Sequence, residues 1–252
     1  MKSSLILAFT AGLQLAAAHT TVFQVQINDK PAPRGDGRSP GSKATQYIRE
    51  VSSNKPIYLG DQHMACNNPG TPVPVWLDVK AGDKISALWH HDDMKNNRDP
   101  VLDPSHHGPV QVYIAPSSNI TGNSWVKIAS DVWTKDGHDP RNDKVTGTYG
   151  TDRLISKSGV QTFTMPSVAA GNYLLRPEII ALHGASKDAK QAQMYMACIQ
   201  VKVSGNGSPL PAGIKLPDSY TGAPGGGLVL DLYIKDSGRT YKPPGGPVVR
   251  IG

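Results

Sequence analysis

Two kinds of residue in this chain could bind a metal together: a histidine placed to become an N-terminus, and a histidine in a Gly/Pro turn ahead of a strand. Residues 1–18 read as a secretory leader. Lys2 supplies the positive start, Leu5 to Leu15 are mostly apolar, and Ala16-Ala17-Ala18 is a small-residue cleavage signature. Cleavage after Ala18 would leave a chain beginning His19-Thr20. A free α-amine titrates near pKa ~7.7–8.0, so it can be neutral at modest cost. The amine and a ring nitrogen of one residue can then chelate a single ion. One more imidazole completes a planar set of three nitrogens, a geometry that favours Cu(II).

Candidates for the further imidazole are His63, His90, His91, His106, His107, His138 and His183. His106 and His107 lie in Asp103-Pro104-Ser105-His106-His107-Gly108-Pro109-Val110, where a loop meets a strongly apolar strand. His90-His91 is a comparable pair after another strand, and the residues alone do not choose between the two. In Gln193-Met194-Tyr195-Met196-Ala197-Cys198, strand period puts Gln193 and Tyr195 on one face and Cys198 on the other. The two are either a buried hydrogen-bonded pair or groups approaching a metal. Cys66 and Cys198 are the only cysteines, and in an oxidising compartment they most simply form one disulfide. Neither sits in a CxxC pair of the kind zinc sites use.

The elements that must hold these groups read as short strands. Apolar residues alternate at Phe23-Val25-Ile27, Val73-Val75-Leu77-Val79, Val110-Val112-Ile114, Tyr173-Leu175-Pro177-Ile179 and Ala197-Ile199-Val201-Val203. Turn clusters such as Lys80-Ala81-Gly82-Asp83 and Ala169-Ala170-Gly171-Asn172 separate them. The chain has 26 Gly and 21 Pro, which suits turns rather than long helices. Residues 186–191 could form a helical turn. The pattern predicts an all-β fold, an antiparallel β-sandwich with long loops. Gly35 to Pro56 reads as a polar surface loop, and 204–213 with 223–227 as a Pro/Gly-rich C-terminal stretch.

Composition excludes some functions. The formal charge is +6, but acids are interleaved with the bases, as in Asp92-Asp93-Met94-Lys95, and no basic run of nucleic-acid type occurs. No segment reaches membrane-spanning length. The expectation is a soluble, extracellular, monomeric protein that engages neither nucleic acid nor membrane. Asn119-Ile120-Thr121 is a glycosylation sequon; Asn206-Gly207-Ser208 is a poorer one because Pro209 follows.

Several segments, in joint order and spacing, resemble the fungal lytic polysaccharide monooxygenases, the cellulose-active family formerly grouped with glycoside hydrolases. They are His19-Thr20, Gly35-Asp36-Gly37, Gln46-Tyr47-Ile48-Arg49, Ser105-His106-His107-Gly108-Pro109-Val110 and Asp152-Arg153-Leu154-Ile155. Further along come Arg176-Pro177-Glu178-Ile179-Ile180-Ala181-Leu182-His183, Ala192-Gln193-Met194-Tyr195 and Leu210-Pro211-Ala212-Gly213. The resemblance runs along nearly all of 19–252. It implies an immunoglobulin/fibronectin-like sandwich forming one copper monooxygenase domain, with no carbohydrate-binding module. It implies copper held by His19 through amine and ring, by His106, and by Tyr195 axially, with His183 and Gln193 beside it as catalytic groups. It matches Cys66 and Cys198 to the family's disulfide.

The implied activity is oxidative cleavage of cellulose or a related β-1,4-glucan by hydroxylation at C1 and/or C4. It needs an electron donor and dioxygen or hydrogen peroxide. Crystalline substrate cannot enter a cleft, so the metal must sit on a flat face. Tyr241, and less so Tyr47, are the candidate rings for sugar contact. Gly35 to Asn54 is longer than in the shorter members, which leaves regioselectivity open. A hydrolytic glycosidase would instead need two carboxylates across a cleft, and no placed pair stands out. A copper carrier or binding module on the same sandwich would hold the metal yet release no oxidised sugar.

Overall fold

The computed structural model describes residues 19–38, 41–91, 101–135, 144–220 and 226–252. The leader 1–18, Asp92-Asp93-Met94-Lys95, His138 and part of the 223–227 stretch lie outside the described residues. In chain order the strands are β1 (Thr21–Ile27), β2 (Lys30–Pro31), β3 (Leu77–Lys80), β4 (Lys84–His90), β5 (Val110–Pro116) and β6 (Val126–Asp131). They continue with β7 (Trp133–Thr134), β8 (Thr148–Tyr149), β9 (Val160–Thr164), β10 (Ala169–Ala181), β11 (Gln193–Met196) and β12 (Ile199–Asn206). One helix, α1 (Gly150–Ser156), follows β8.

The strands form two packed layers. One sheet runs β2-β1-β4-β9; the other runs β3-β12-β10-β5-β6, with β11 pairing the end of β10. Val22, Val25, Ile85, Ala87 and Trp89 of the first sheet meet Val112, Ile114, Leu175, Ile179 and Val201 of the second in one buried core. Burial of these side chains is the main stabilising term. The all-β sandwich predicted from alternation is therefore present. One pairing departs from antiparallel: β3 runs parallel to β12, with Val201 opposite Leu77. That register uses only 77–80, so the strand read from Val73 is shorter. Val73 N donates instead to the Gln200 side chain, which bonds back to the Val73 and Val75 carbonyls.

Strand β10 is central and buried on both faces. Leu175 and Ile179 face the sandwich core, while Leu174 and Ile180 belong to a second cluster outside the sheet. Loops and the C-terminal segment cover that second face: Ile214 bridges Trp125, and Leu216, Tyr220, Leu228 and Leu232 pack into the second cluster. The described residues after β12 thus form a packed strap.

Two further expectations change. The polar stretch from Gly35 is not wholly a surface loop, because Gln46, Tyr47, Ile48 and Arg49 are buried and Ile48 bridges Ile199. Polar groups there bond inside the protein: Gln46 Nε2 donates to Ile48 O, and Arg49 Nη1 to Gly70 O. Helix α1 has no counterpart in the apolar periodicity, being only two turns long. The expected turn near 186–191 is a 3-10 turn, Ala189–Gln191, whose capping Asp188 accepts from Lys190 N. No described helix is long and apolar enough to cross a membrane.

Candidate metal centre

The pairing register gathers the candidate residues at one end of the sandwich. Val110, Ile179 and Tyr195 lie abreast across β5, β10 and β11. The 103–109 turn therefore enters beside the exit of β10, which leads to His183, and beside Gln193 at the start of β11. Thr21 pairs with His90, which sets His19 against the end of β4.

His106 is 2% exposed. Its Nε2 bonds Gln193 Oε1 at 3.1 Å, and its Nδ1 lies 3.2 Å from Ser105 Oγ. Its ring centroid is 4.1 Å from that of His183 and 6.3 Å from that of Tyr195. The Tyr195 hydroxyl donates to the same Gln193 Oε1 at 2.6 Å. Asp103 closes the turn by accepting Ser105 N at 2.9 Å and Ser105 Oγ at 2.7 Å.

Burial, and then the neighbouring His183, pushes the His106 imidazole down to about 4. Burial also lowers His183. Both rings are neutral at physiological pH, the state in which imidazole ligates metals. Burial holds the Tyr195 phenol well above the usual range, with Tyr58 adding to the effect, so its hydroxyl keeps its proton. Asp103 sits below the usual carboxylate range; burial opposes this, but the Ser105 hydrogen bonds outweigh it.

The donors fit a copper ion. His183 Nδ1 is buried with no hydrogen-bond partner, an orphan that a polar ligand at this point would satisfy. Nitrogen and phenol donors, without thiolate or clustered carboxylate, suit copper rather than calcium or magnesium. Among the described residues no three His, Cys, Asp or Glu side chains enclose a metal unaided. The His19 ring meets His91 edge-on at 5.9 Å. His91 thus lies beside His19, and His106 beside His183.

Other sequence-predicted residues fall elsewhere. Tyr47 cannot contact a polysaccharide: it is 1% exposed. Its hydroxyl donates to Pro33 O at 2.7 Å and accepts from Val25 N at 3.0 Å, and burial raises its pKa to about 12. Tyr241 is half-buried, and its hydroxyl donates to Gly227 O at 2.6 Å. Asn119 is exposed on the turn between β5 and β6, accepting from Gly122 N at 3.0 Å. Cys66 and Cys198 are joined, with Cα atoms 5.1 Å apart. Sequence reading missed Tyr58, which is 43% exposed and adjoins Ile57, the bridge partner of Met194 on β11. Lys55-Pro56-Ile57-Tyr58 shows no alternation, so no local signal marked it.

Comparison with known proteins adds the following. Auxiliary Activity family 9 (formerly GH61) matches residues 19–241. An "AA9 family lytic polysaccharide monooxygenase A" of Aspergillus tamarii is 43% identical over 250 residues, covering 97% of this chain and 61% of that protein. An "AA9 family lytic polysaccharide monooxygenase C" of Aspergillus fumigatus is 42% identical over 250 residues, with 97% and 65% covered. The chain thus spans about six-tenths of the length of the curated relatives it matches. Among solved structures, "CvAA9A" superposes with a TM-score of 0.76 at 31% identity, covering 92% of this chain and 98% of that one. "HiLPMO9B" gives 0.70 at 26% identity, with 92% and 100% covered.

Proposed function

The chain belongs to Auxiliary Activity family 9, and from that premise we propose that it is a secreted copper-dependent lytic polysaccharide monooxygenase. It cleaves cellulose or a related β-1,4-glucan by hydroxylating C1 and/or C4 of a glucosyl unit. The observation that carries this reading is the buried neutral pair His106 and His183, meeting Gln193 and Tyr195 at the end of the sandwich. The family match beginning at His19 supports cleavage after Ala18 and a free amine there.

Copper would be held by the His19 amine and ring, by His106 and by Tyr195. When bound, it would supply the one-electron chemistry that lets a reductant and dioxygen or hydrogen peroxide oxidise an unactivated carbon. The protein's own groups set the surroundings. Gln193 Oε1 accepts the Tyr195 hydroxyl hydrogen bond and fixes its direction, while burial keeps the phenol protonated. His183 presents an unclaimed Nδ1 that can hold or return a proton beside the reacting carbon. Val110, Ile179 and Ala181 behind the site exclude water. The exposed ring of Tyr58, and the open part of Tyr241, would stack on the apolar faces of sugars.

The test is mass spectrometry of sugars released from cellulose by the processed, copper-loaded protein with ascorbate, against chelated and reductant-free controls. Aldonic acids or C4-ketone sugars, formed only with copper and reductant, are the expected outcome. Copper bound through a confirmed His19 N-terminus without any oxidised product, on cellulose or other β-glucans, would establish a copper carrier or binding module instead.

A further inference from the structure

His106 has a neighbour that the proposed chemistry does not use. His107 is 1% exposed and points away from the metal centre. Its Nδ1 donates to Asp152 Oδ1 at 2.8 Å. The other oxygen of that carboxylate accepts Tyr149 N at 2.7 Å, at the start of α1. The carboxylate is thus held through both oxygens, one by the His107 imidazole and the other by the backbone N–H of Tyr149.

The backbone is tied at the same place. Gly108 N donates to Thr151 Oγ1 at 3.0 Å, and Thr151 N donates to Gly108 O at 3.1 Å. Leu182 N donates to His107 O at 2.9 Å, and Ile180 N to Pro109 O at 3.0 Å. A Cβ on Gly108 would run into the Ile180 carbonyl, so turn and strand meet as closely as glycine allows. On the N-terminal side, His106 N donates to Asp103 O at 3.0 Å. Its own ring bonds Gln193 and Ser105, with Asp103 Oδ1 3.8 Å from Nδ1 and His183 packed against it.

The two rings leave adjacent residues in different directions, His107 to Asp152 and His106 to His183 and Tyr195. Fixing the His107 ring and its backbone therefore restrains the backbone that aims His106. We infer that Asp152 is a positioning residue for the metal centre: acting through His107, it latches the 105–109 turn onto α1 and so sets the direction of the His106 imidazole. This rests on the copper reading above. It explains why α1, which is only two turns long and carries no metal-site residue, is clamped to that turn by side chain and backbone together. Outer hydrogen-bond partners that orient metal-bound histidines usually change metal affinity by about 10- to 100-fold when removed. Here the orientation would pass through the neighbouring histidine.

The experiment compares Asp152→Asn, His107→Gln and the double variant, each processed to a free His19. It measures Cu(II) affinity by calorimetry and the Cu(II) EPR spectrum, with melting temperature alongside. Asp131→Asn is the control, since it loosens α1 from its other side by breaking the Arg153–Asp131 pair. Each single variant should lose about 10-fold or more in copper affinity with altered EPR hyperfine splitting. The double variant should lose no more than either alone, because the two groups act as one unit. Copper affinity and EPR unchanged in Asp152→Asn would overturn the latch while leaving the copper reading intact. The same losses in Asp131→Asn at equal melting temperature would overturn it in favour of general loosening. A wild-type chain that binds no copper tightly would overturn both readings together.

Discussion

His106 and Tyr47 show how burial decides what a residue can do. Both are nearly inaccessible, at 2% and 1%. In His106 burial removes the charge and leaves a neutral imidazole whose Nε2 meets only the Gln193 amide, a partner that a metal can displace. In Tyr47 burial consumes the hydroxyl in two backbone hydrogen bonds and closes the ring against Gly35. Replacing His106 with Ala should therefore lower Cu(II) affinity by more than about 100-fold, since even outer partners of a ligand cost 10- to 100-fold. Competition against a copper chelator checks this, and unchanged affinity would remove His106 from the donor set. Replacing Tyr47 with Phe should leave copper binding unchanged and cost about 1–3 kcal/mol of stability, because Val25 N then lacks its partner.

Strand β10 carries an element-scale lesson. Alternation separates Leu175 and Ile179 from Arg176 and Glu178, and a one-sided strand would leave the second set in water. Instead both charged residues are fully buried, with Arg176 Nη2 2.7 Å from Glu178 Oε1. Arg176 also donates to Met64 O at 2.7 Å and Ala65 O at 2.8 Å, while Tyr220 Oη donates to Glu178 Oε2 at 2.6 Å. The pair thus fastens an upstream loop and the C-terminal strap to the same strand. Removing one partner leaves a buried charge uncompensated. Arg176→Met should cost about 3–5 kcal/mol, and adding Glu178→Leu should recover part of it. Urea unfolding of both variants checks this; a single-variant loss below about 1 kcal/mol would mean that water compensates Glu178.

At the scale of the whole molecule, the disulfide is a covalent link between distant segments. Cys66 and Cys198 are 132 residues apart, and they join the loop that follows Tyr58 to the junction between β11 and β12. In the chain-entropy account a loop of this length contributes about 4–5 kcal/mol. The Cys66→Ser, Cys198→Ser double variant should lose about that amount in urea unfolding under oxidising conditions. A loss below about 1 kcal/mol would show that residual structure already restrains the unfolded chain. The cover over β10 is not visible in the sequence, where 204–213 with 223–227 read only as a Pro/Gly-rich stretch. Its contacts run to Trp125, Lys127 and Tyr113, far upstream in the chain.

The sequence by itself determined what short-range chemistry and period can carry. It placed His19 after a leader-like stretch, His106 in a turn at the foot of β5, Gln193 and Tyr195 on one face of β11, and a cysteine pair able to bond. It also set a sandwich of alternating strands. Period reports that a strand has two sides, but not what lies on each. Only the tertiary structure decided that Arg176 and Glu178 are interior, that Tyr47 is packed away while Tyr58 is open, and that His91 lies by His19 and His106 by His183. The short helix α1 likewise gained its place from Asp152 and Thr151 meeting the 105–109 turn. Each of these depends on segments far apart in sequence closing on one another, and no local pattern records which distant surface will arrive.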